Sequence, residues 1–243
     1  MTVHGQCHLC GCIGPLSFEH VPPSAAYNDR AVIEADIKRM LSAEREEELD
    51  DPSGDIKQKG AGGFTLCAPC NNKTGSWYGP AYVDFVQQVV NFSIREDTPT
   101  RIVPLVTIKP LRVLKMILTM FCSACPPSFA AADPDLVRYL LNREARIYPR
   151  QLSISASLHP LWRSRLARQA GLTGMLHMSG RSHTFAEIAF PPFNFIMSVN
   201  SAPPDDRLTD ISWFRLFDLD ENAQCGIPLH NLPVRSAFPG HYE

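Results

Sequence analysis

Phe64-Thr65-Leu66-Cys67-Ala68-Pro69-Cys70-Asn71-Asn72-Lys73-Thr74-Gly75 is the stretch around which the first third of this chain is organised. Its Cys67-x-x-Cys70 pair answers an earlier one, Cys7-His8-Leu9-Cys10, and between the two pairs stands Ser17-Phe18-Glu19-His20-Val21-Pro22-Pro23. A two-residue gap lets both thiolates of a pair reach one ion, so two such knuckles suit a single tetrahedral zinc. Zinc–thiolate bonding contributes folding free energy directly, and here it would pin both ends of a unit whose middle is polar and loop-rich. Structural zinc is therefore expected at Cys7, Cys10, Cys67 and Cys70. A redox or catalytic role for the same thiols is the alternative.

The chain has 243 residues, enough for one large domain or for a small module joined to a larger one. Its 23 Lys plus Arg against 25 Asp plus Glu give a net charge of -2. No overall pull toward a phosphate backbone follows from that, so a nucleic-acid surface must be local or supplied by a targeting protein partner or a second copy of the chain. Eight cysteines with no apolar segment after Met1 point to a reduced, cytoplasmic setting rather than a secreted disulfide framework. The most apolar run, Leu111 to Cys125, carries Arg112 and Lys115 and falls short of the ~18 residues of a membrane span, so no membrane partner is expected. The absence of a Gly-rich phosphate loop and of a Gly-x-Ser-x-Gly elbow argues against a nucleotide triphosphatase or a serine hydrolase.

The expected fold class is α+β, with a zinc-stapled module over 1–92 followed by a mixed α/β domain over 100–243. Within the first unit, Val32, Ile33, Ile37, Met40 and Leu41 recur at roughly helical spacing and predict an inserted helix over 29–49. Residues 51–63 read as a loop. Tyr82, Phe85, Val86, Val89 and Val90 mark a helix over 80–92, and Leu111, Leu114, Ile117, Leu118 and Phe121 another over 111–121 after a strand over 101–109. Further helices are expected over 135–143 and 161–169. Leu152, Ile154, Ala156 and Leu158 alternate with serines, the period of a half-buried strand. Strands are also expected over 174–178, 184–190, 194–199 and 213–218.

Chemistry in the first unit has to come from outside the cysteines. Phosphodiester hydrolysis needs a base to deprotonate water and a divalent ion to take up charge on the leaving oxygen. Val21-Pro22-Pro23 stops any strand that carries Glu19 and His20, because proline cannot continue the ladder, so His20 sits at a strand end. An isolated Glu-His pair is more often a surface or capping feature. Asn71 follows Cys70 at an expected helix start, where its amide oxygen can either ligate a hard cation or cap the helix. Lys73, with Asn72 beside it, is the nearest group able to meet a phosphate.

Taken together, the two knuckles, the Glu19-His20-Val21-Pro22-Pro23 segment and the Cys70-Asn71-Asn72-Lys73 continuation resemble the zinc-knuckle branch of the HNH endonucleases over the first third of the chain. The resemblance implies a ββα-metal module. It also implies His20 as the base that activates water, Glu19 and Asn71 as ligands of a catalytic magnesium or manganese, Cys7, Cys10, Cys67 and Cys70 as structural zinc ligands, and Lys73 and Asn72 as substrate contacts. Two departures stand out. Glutamate replaces the family's usual aspartate at Glu19, and the family's middle asparagine falls among Ala61, Gly62 and Gly63. The implied activity is metal-dependent endonucleolytic cleavage of nucleic acid, DNA ahead of RNA, of the kind found in bacterial or phage defence and mobile-element chemistry. An RNase-type toxin is a further form of the same reading. The alternative is a zinc-stapled binding or assembly module without catalysis.

Elsewhere, Cys122-x-x-Cys125 closes an apolar helix and reads as buried cysteines or a redox dithiol. His8 and Cys12 stand close enough to the first knuckle to compete for its zinc. His177 and His183 are structural histidines or a second metal site. Arg163, Arg165 and Arg168 beside Trp162 make either a solvated helix face or a nucleic-acid surface.

Overall fold

The computed structural model describes residues 2–34, 55–93, 100–159, 165–166, 176–178, 181–234 and 239–242. It begins with β1 (His4–Gln6) and β2 (Ile13–His20), then β3 (Val32–Glu34), β4 (Asp55–Lys57) and β5 (Gly62–Cys67), which runs directly into α1 (Ala68–Ser93). Strands β6 (Arg101–Ile102) and β7 (Leu105–Ile108) lead to α2 (Pro110–Ala124), α3 (Pro127–Ala131) and α4 (Pro134–Leu141). The remainder is β8 (Leu152–Leu158), β9 (Arg165–Leu166), β10 (Leu176–Met178), β11 (Arg181–His183), β12 (Phe185–Phe190), β13 (Phe193–Val199) and β14 (Thr209–Asp210). A 3-10 turn (Ser212–Leu216), β15 (Ala223–Gly226) and β16 (Leu229–His230) complete it.

Two antiparallel sheets dominate this mixed α+β architecture. One has the order β1-β2-β5, the other β14-β8-β13-β12-β9. The helices lie between them in packing terms. Tyr78, Phe85 and Val89 of α1 and Leu114, Phe121 and Cys122 of α2 share one buried core with Cys7, Leu9 and Leu66 on one side and Ile154, Ala156 and Phe195 on the other. Phe85 stacks on Phe193 with ring centroids 4.6 Å apart. The regions 1–92 and 100–243 thus meet across a common core. The opposite face of the larger sheet has a second, smaller cluster that includes Phe185, Ile196 and Tyr242.

Several elements follow directly from local sequence. Pro110 stands in the first turn of α2, where its missing N–H is no loss, and the helix ends before Pro126-Pro127. β8 buries Leu152, Ile154, Ala156 and Leu158 in the main core, as its alternation predicts, but Ser155 and Ser157 are buried as well, so the strand is covered on both faces rather than half-buried. The predicted helix over 80–92 is instead the second half of a longer α1 that starts at Ala68 and passes through Pro80. Pro80 is exposed, so the backbone bond it forfeits lies on the solvent side.

Other expectations fail. Residues 32–34, placed in an inserted helix over 29–49, form β3 and pair with β4; positions 35–54 lie outside the described residues. β4 also occupies part of the expected 51–63 loop. The expected strand over 101–109 is broken into β6 and β7 around Val103-Pro104, each paired with a strand from the C-terminal end. The strand expected over 213–218 does not form: residues 213–216 belong to the 3-10 turn, and Phe214 turns back onto the α1–β13 aromatic cluster, 6.3 Å from Phe85. Of the helix expected over 161–169 only 165–166 is described, as β9 pairing with β12. Trp162, Arg163 and Arg168 lie outside the described residues. No helix among the described residues is long and apolar enough to cross a membrane.

Lys115 is the unusual member of the core. It is fully buried, and its ammonium donates to the backbone carbonyls of Asn142, Arg143 and Ala145 at 3.1–3.3 Å and lies 4.4 Å from the Tyr139 ring centroid. These partners close the C-terminal end of α4 and tie the following segment to α2. Burial still pushes the ammonium from its ordinary 10.5 down to about 8. The folded state therefore holds this proton less tightly than the unfolded chain, and the residue's contribution to stability rises as pH climbs from about 8 to 10.5. The expected result is that the urea midpoint of the wild type gains on that of Lys115→Met across this window; a constant gap would refute it.

Candidate metal centre and the His20 strand end

The sulfur atoms of Cys7, Cys10, Cys67 and Cys70 all lie within 4.8 Å of one another, and Cys10 and Cys67 are 3.8 Å apart. Sulfurs at ~2.3 Å from a common tetrahedral zinc would be separated by about this much. The four cysteines are positioned to bind a metal ion. Local structure explains how. The first knuckle is a tight turn in which Cys7 N donates to Cys12 O and Gly11 N to Cys7 O, with Gly11 at φ 75°. The second straddles the junction of β5 and α1, and Cys67 N donates to Cys7 Sγ at 3.3 Å.

The hydrogen bond from Cys70 pulls Cys7 down to about 4, while Cys7 drives Cys70 upward. Four converging cysteine sulfurs are chemically suited to a thiophilic divalent ion.

Neither nearby competitor joins the cluster. Cys12 is exposed and outside the group of four. His8 turns away, its Nδ1 donating to Ser123 O at 3.0 Å, while Ser123 Oγ shares a 2.6 Å hydrogen bond with Thr65 Oγ1. Ser123 thereby ties the end of α2 to both knuckles. Cys122 and Cys125, on either side of it, are buried at the end of the helix.

β2 ends at His20, as the prolines require, and pairs antiparallel with β5 so that Glu19 faces Gly63 and His20 faces Gly62. A bulge between Ser17 and Phe18 skips Thr65. Phe18 and His20 share one face, their ring centroids 5.0 Å apart, with Phe64 5.5 Å from Phe18. Ser17 belongs to the other face, toward α1, where its Oγ accepts from Asn71 Nδ2 at 3.1 Å; the same amide nitrogen donates to Phe18 O at 3.1 Å. Alternation puts Glu19 on the Ser17 side. Asn71 is thus a tether between helix and strand rather than a helix cap.

Glu19 and Asn71 accordingly share a face of β2, and His20 projects from the opposite one. No hydrogen bond joins the three side chains. Each keeps an unused polar group. Glu19 is 5% exposed and makes no hydrogen bond or ion pair with any described residue, and burial drives its carboxyl from 4.5 to about 8. Asn71 Oδ1 accepts from no described residue. The Nδ1 of His20 is buried without a partner. Burial lowers the imidazole pKa, Lys59 adding to this and a hydrogen bond to the Asn28 backbone opposing it. Asn72 and Lys73 are exposed on the first turns of α1.

The residue that sequence reading missed is Asn28. It is buried, with Nδ2 donating to Pro22 O and to Ala61 O and Oδ1 accepting from Ala61 N, each at 2.7 Å. This latch holds the turn after His20, where Tyr27 has φ 66°, against the entrance to β5. It also accounts for the glycines. A Cβ on Gly60 would stand 2.4 Å from Asn28 O, and one on Gly62 2.1 Å from Glu19 O, so no asparagine fits at 62. The only local cue was the turn-forming Tyr27-Asn28-Asp29 string. Asn28→Ala leaves Pro22 O and Ala61 N without partners and is expected to destabilise the chain by roughly 3 kcal/mol or more; a loss under ~1 kcal/mol in chemical denaturation would count against the latch.

His183 is buried, its Nδ1 bonded to Ala202 O at 3.0 Å and its Nε2 without a partner among the described residues. The side chains of Arg165 and His177 lie outside what is described. The chain matches no protein-family profile, and no curated protein or solved structure is detectably similar to it.

Proposed function

We propose that the chain is a zinc-stapled, metal-dependent endonuclease of HNH type, with the four cysteines as scaffold and the end of β2 as the reacting site. One observation carries the reading: around the end of β2, Glu19 and Asn71 on one face and His20 on the other each keep a polar group with no partner among the described residues. A fold that buries a carboxyl and an imidazole nitrogen without partners forgoes stability, and such sites are associated with function.

Glu19 and Asn71 Oδ1, on one face of β2, are the groups that would hold magnesium or manganese, which when bound supplies positive charge for the leaving oxygen. The chain's own residues do the rest. His20, at the end of β2, is the residue that would take a proton from water through an unprotonated ring nitrogen. The lowered imidazole pKa favours its basic form. The Asn28 latch holds the turn after His20, the positioning task for which the family uses its middle asparagine. Lys73 and Asn72 stand exposed to meet the strand. DNA is the favoured substrate and RNA the second.

A non-catalytic assembly module is the competing reading, favoured by the depth of Glu19 and by the tethering role already taken by Asn71. The test is to incubate the zinc-loaded protein with plasmid DNA and with labelled RNA, with and without magnesium or manganese. Cleavage that requires the added ion supports the nuclease; no cleavage of any substrate under any of these conditions removes it in favour of the assembly module.

A further inference from the structure

A net charge of -2 leaves open how this chain would hold a polyanion. The fold answers by gathering cations from three separated segments. Lys109 and Arg112 come from the start of α2, Arg143 and Arg146 from the stretch after α4, and Arg215 from the 3-10 turn. Asp220 lies among three of them: it pairs with Arg112, lies 3.6 Å from Arg143 and 3.9 Å from Lys109. Arg146 pairs with Asp218 at 2.6 Å. Four cations thus meet two carboxylates, and Arg215 pairs with neither. Glu144 and Glu221 stand in the same segments and pair with none of them; Glu221 accepts instead from Asp218 N.

The rings at this surface hold the guanidinium groups. Arg143 lies over Trp77 at 6.0 Å and Arg215 over Tyr148 at 5.3 Å. Arg112 anchors the assembly, donating to Trp77 O at 2.6 Å and to Leu219 O at 3.3 Å. A ring whose face is occupied by an arginine is not free to stack a base, whereas the exposed edges of the same arginines remain able to grip phosphate oxygens in pairs. Trp77 is on α1, about 9 Å along the helix axis from Asn71 at 1.5 Å per residue.

We infer that this Asp220-centred surface is a docking face for the phosphate backbone of the nucleic acid cleaved at the His20 end, and that it is indifferent to base sequence. The inference rests on the nuclease reading for its partner and on the charge gathered here for its location. Asp220 and Asp218 act on it as built-in competitors, occupying the cations until phosphates take their place.

The test is fluorescence anisotropy of the zinc-loaded full chain, without magnesium or manganese, against labelled single-stranded and duplex oligonucleotides over a range of salt. Replacing Lys109, Arg143 and Arg146 together by alanine should weaken binding at least ~tenfold and flatten the slope of log affinity against log salt by about one unit per phosphate contact removed. Asp220→Asn should act in the opposite direction and tighten binding. That second variant keeps the idea exposed if the triple variant loses its zinc or its melting transition. Unchanged affinity and salt slope in a folded triple variant, or weaker binding in Asp220→Asn, overturns the inference while leaving His20-dependent cleavage untouched. Binding that depends on this surface without any metal-stimulated cleavage sustains the inference and removes the nuclease reading.

Discussion

His20→Ala is expected to cleave ~10²- to 10⁴-fold more slowly than the wild type, the usual contribution of a positioned general base, while keeping its metal and its melting transition. The separation of the two effects follows from where His20 sits. Its ring is half-buried at the end of β2, its Nδ1 has no partner to lose, and its one aromatic contact is the edge-on approach to Phe18 at 5.0 Å. Removing such a contact costs about 1 kcal/mol, a small part of a domain's stability. Glu19→Gln completes the argument. The glutamine keeps the shape of the buried side chain and removes a carboxyl with no described partner, so the melting temperature should hold or rise while ion-dependent cleavage falls. Wild-type rates in His20→Ala would remove the base. A collapse of the fold in Glu19→Gln would make the carboxyl structural.

The largest loss of stability is expected from Cys70→Ala. Structural zinc sites in small peptides contribute apparent free energies of about 10–16 kcal/mol, as large as the whole stability of a typical domain. Cys70 is buried in the main core in the first turn of α1, so losing its bond to the ion loosens the β5–α1 junction and, through the His8 and Thr65 contacts of Ser123, the end of α2. Even a loss of about 5 kcal/mol would lower the melting temperature by about 10–20 °C in a chain of this size. Metal analysis of the purified protein should find about one zinc per chain in the wild type and in Cys12→Ala, whose thiol is exposed and outside the cluster, and much less in Cys70→Ala. Equal metal content in Cys70→Ala and the wild type would sink the assignment.

Local pattern carried part of this. The knuckle spacing foretold four converging sulfurs because two intervening residues leave little freedom to a turn. The prolines after His20 foretold the strand end for a similar reason, a missing N–H. The alternation in β8 and the apolar stripe of α2 foretold residues of the main core, though not that the serine face of β8 is buried as well. The same logic erred at 32–34, where a few apolar residues fit a helical period yet pair as a strand with residues 55–57, and at 213–218, where packing of Phe214 against Phe85 overrode β-forming composition.

The sequence by itself therefore determined what depends on neighbours in the chain: the converging cysteine pairs, the end of β2, the apolar helix α2 and the strand of alternating serines. Tertiary structure alone decided the rest. Asn28 reaches Ala61 across 33 residues, Ser123 reaches His8 across 115, and Arg112 reaches Asp220 across 108. Contacts over such separations leave no periodic trace, because their partners are chosen by the shared core that brings α1 and α2 together, and not by any spacing along the chain.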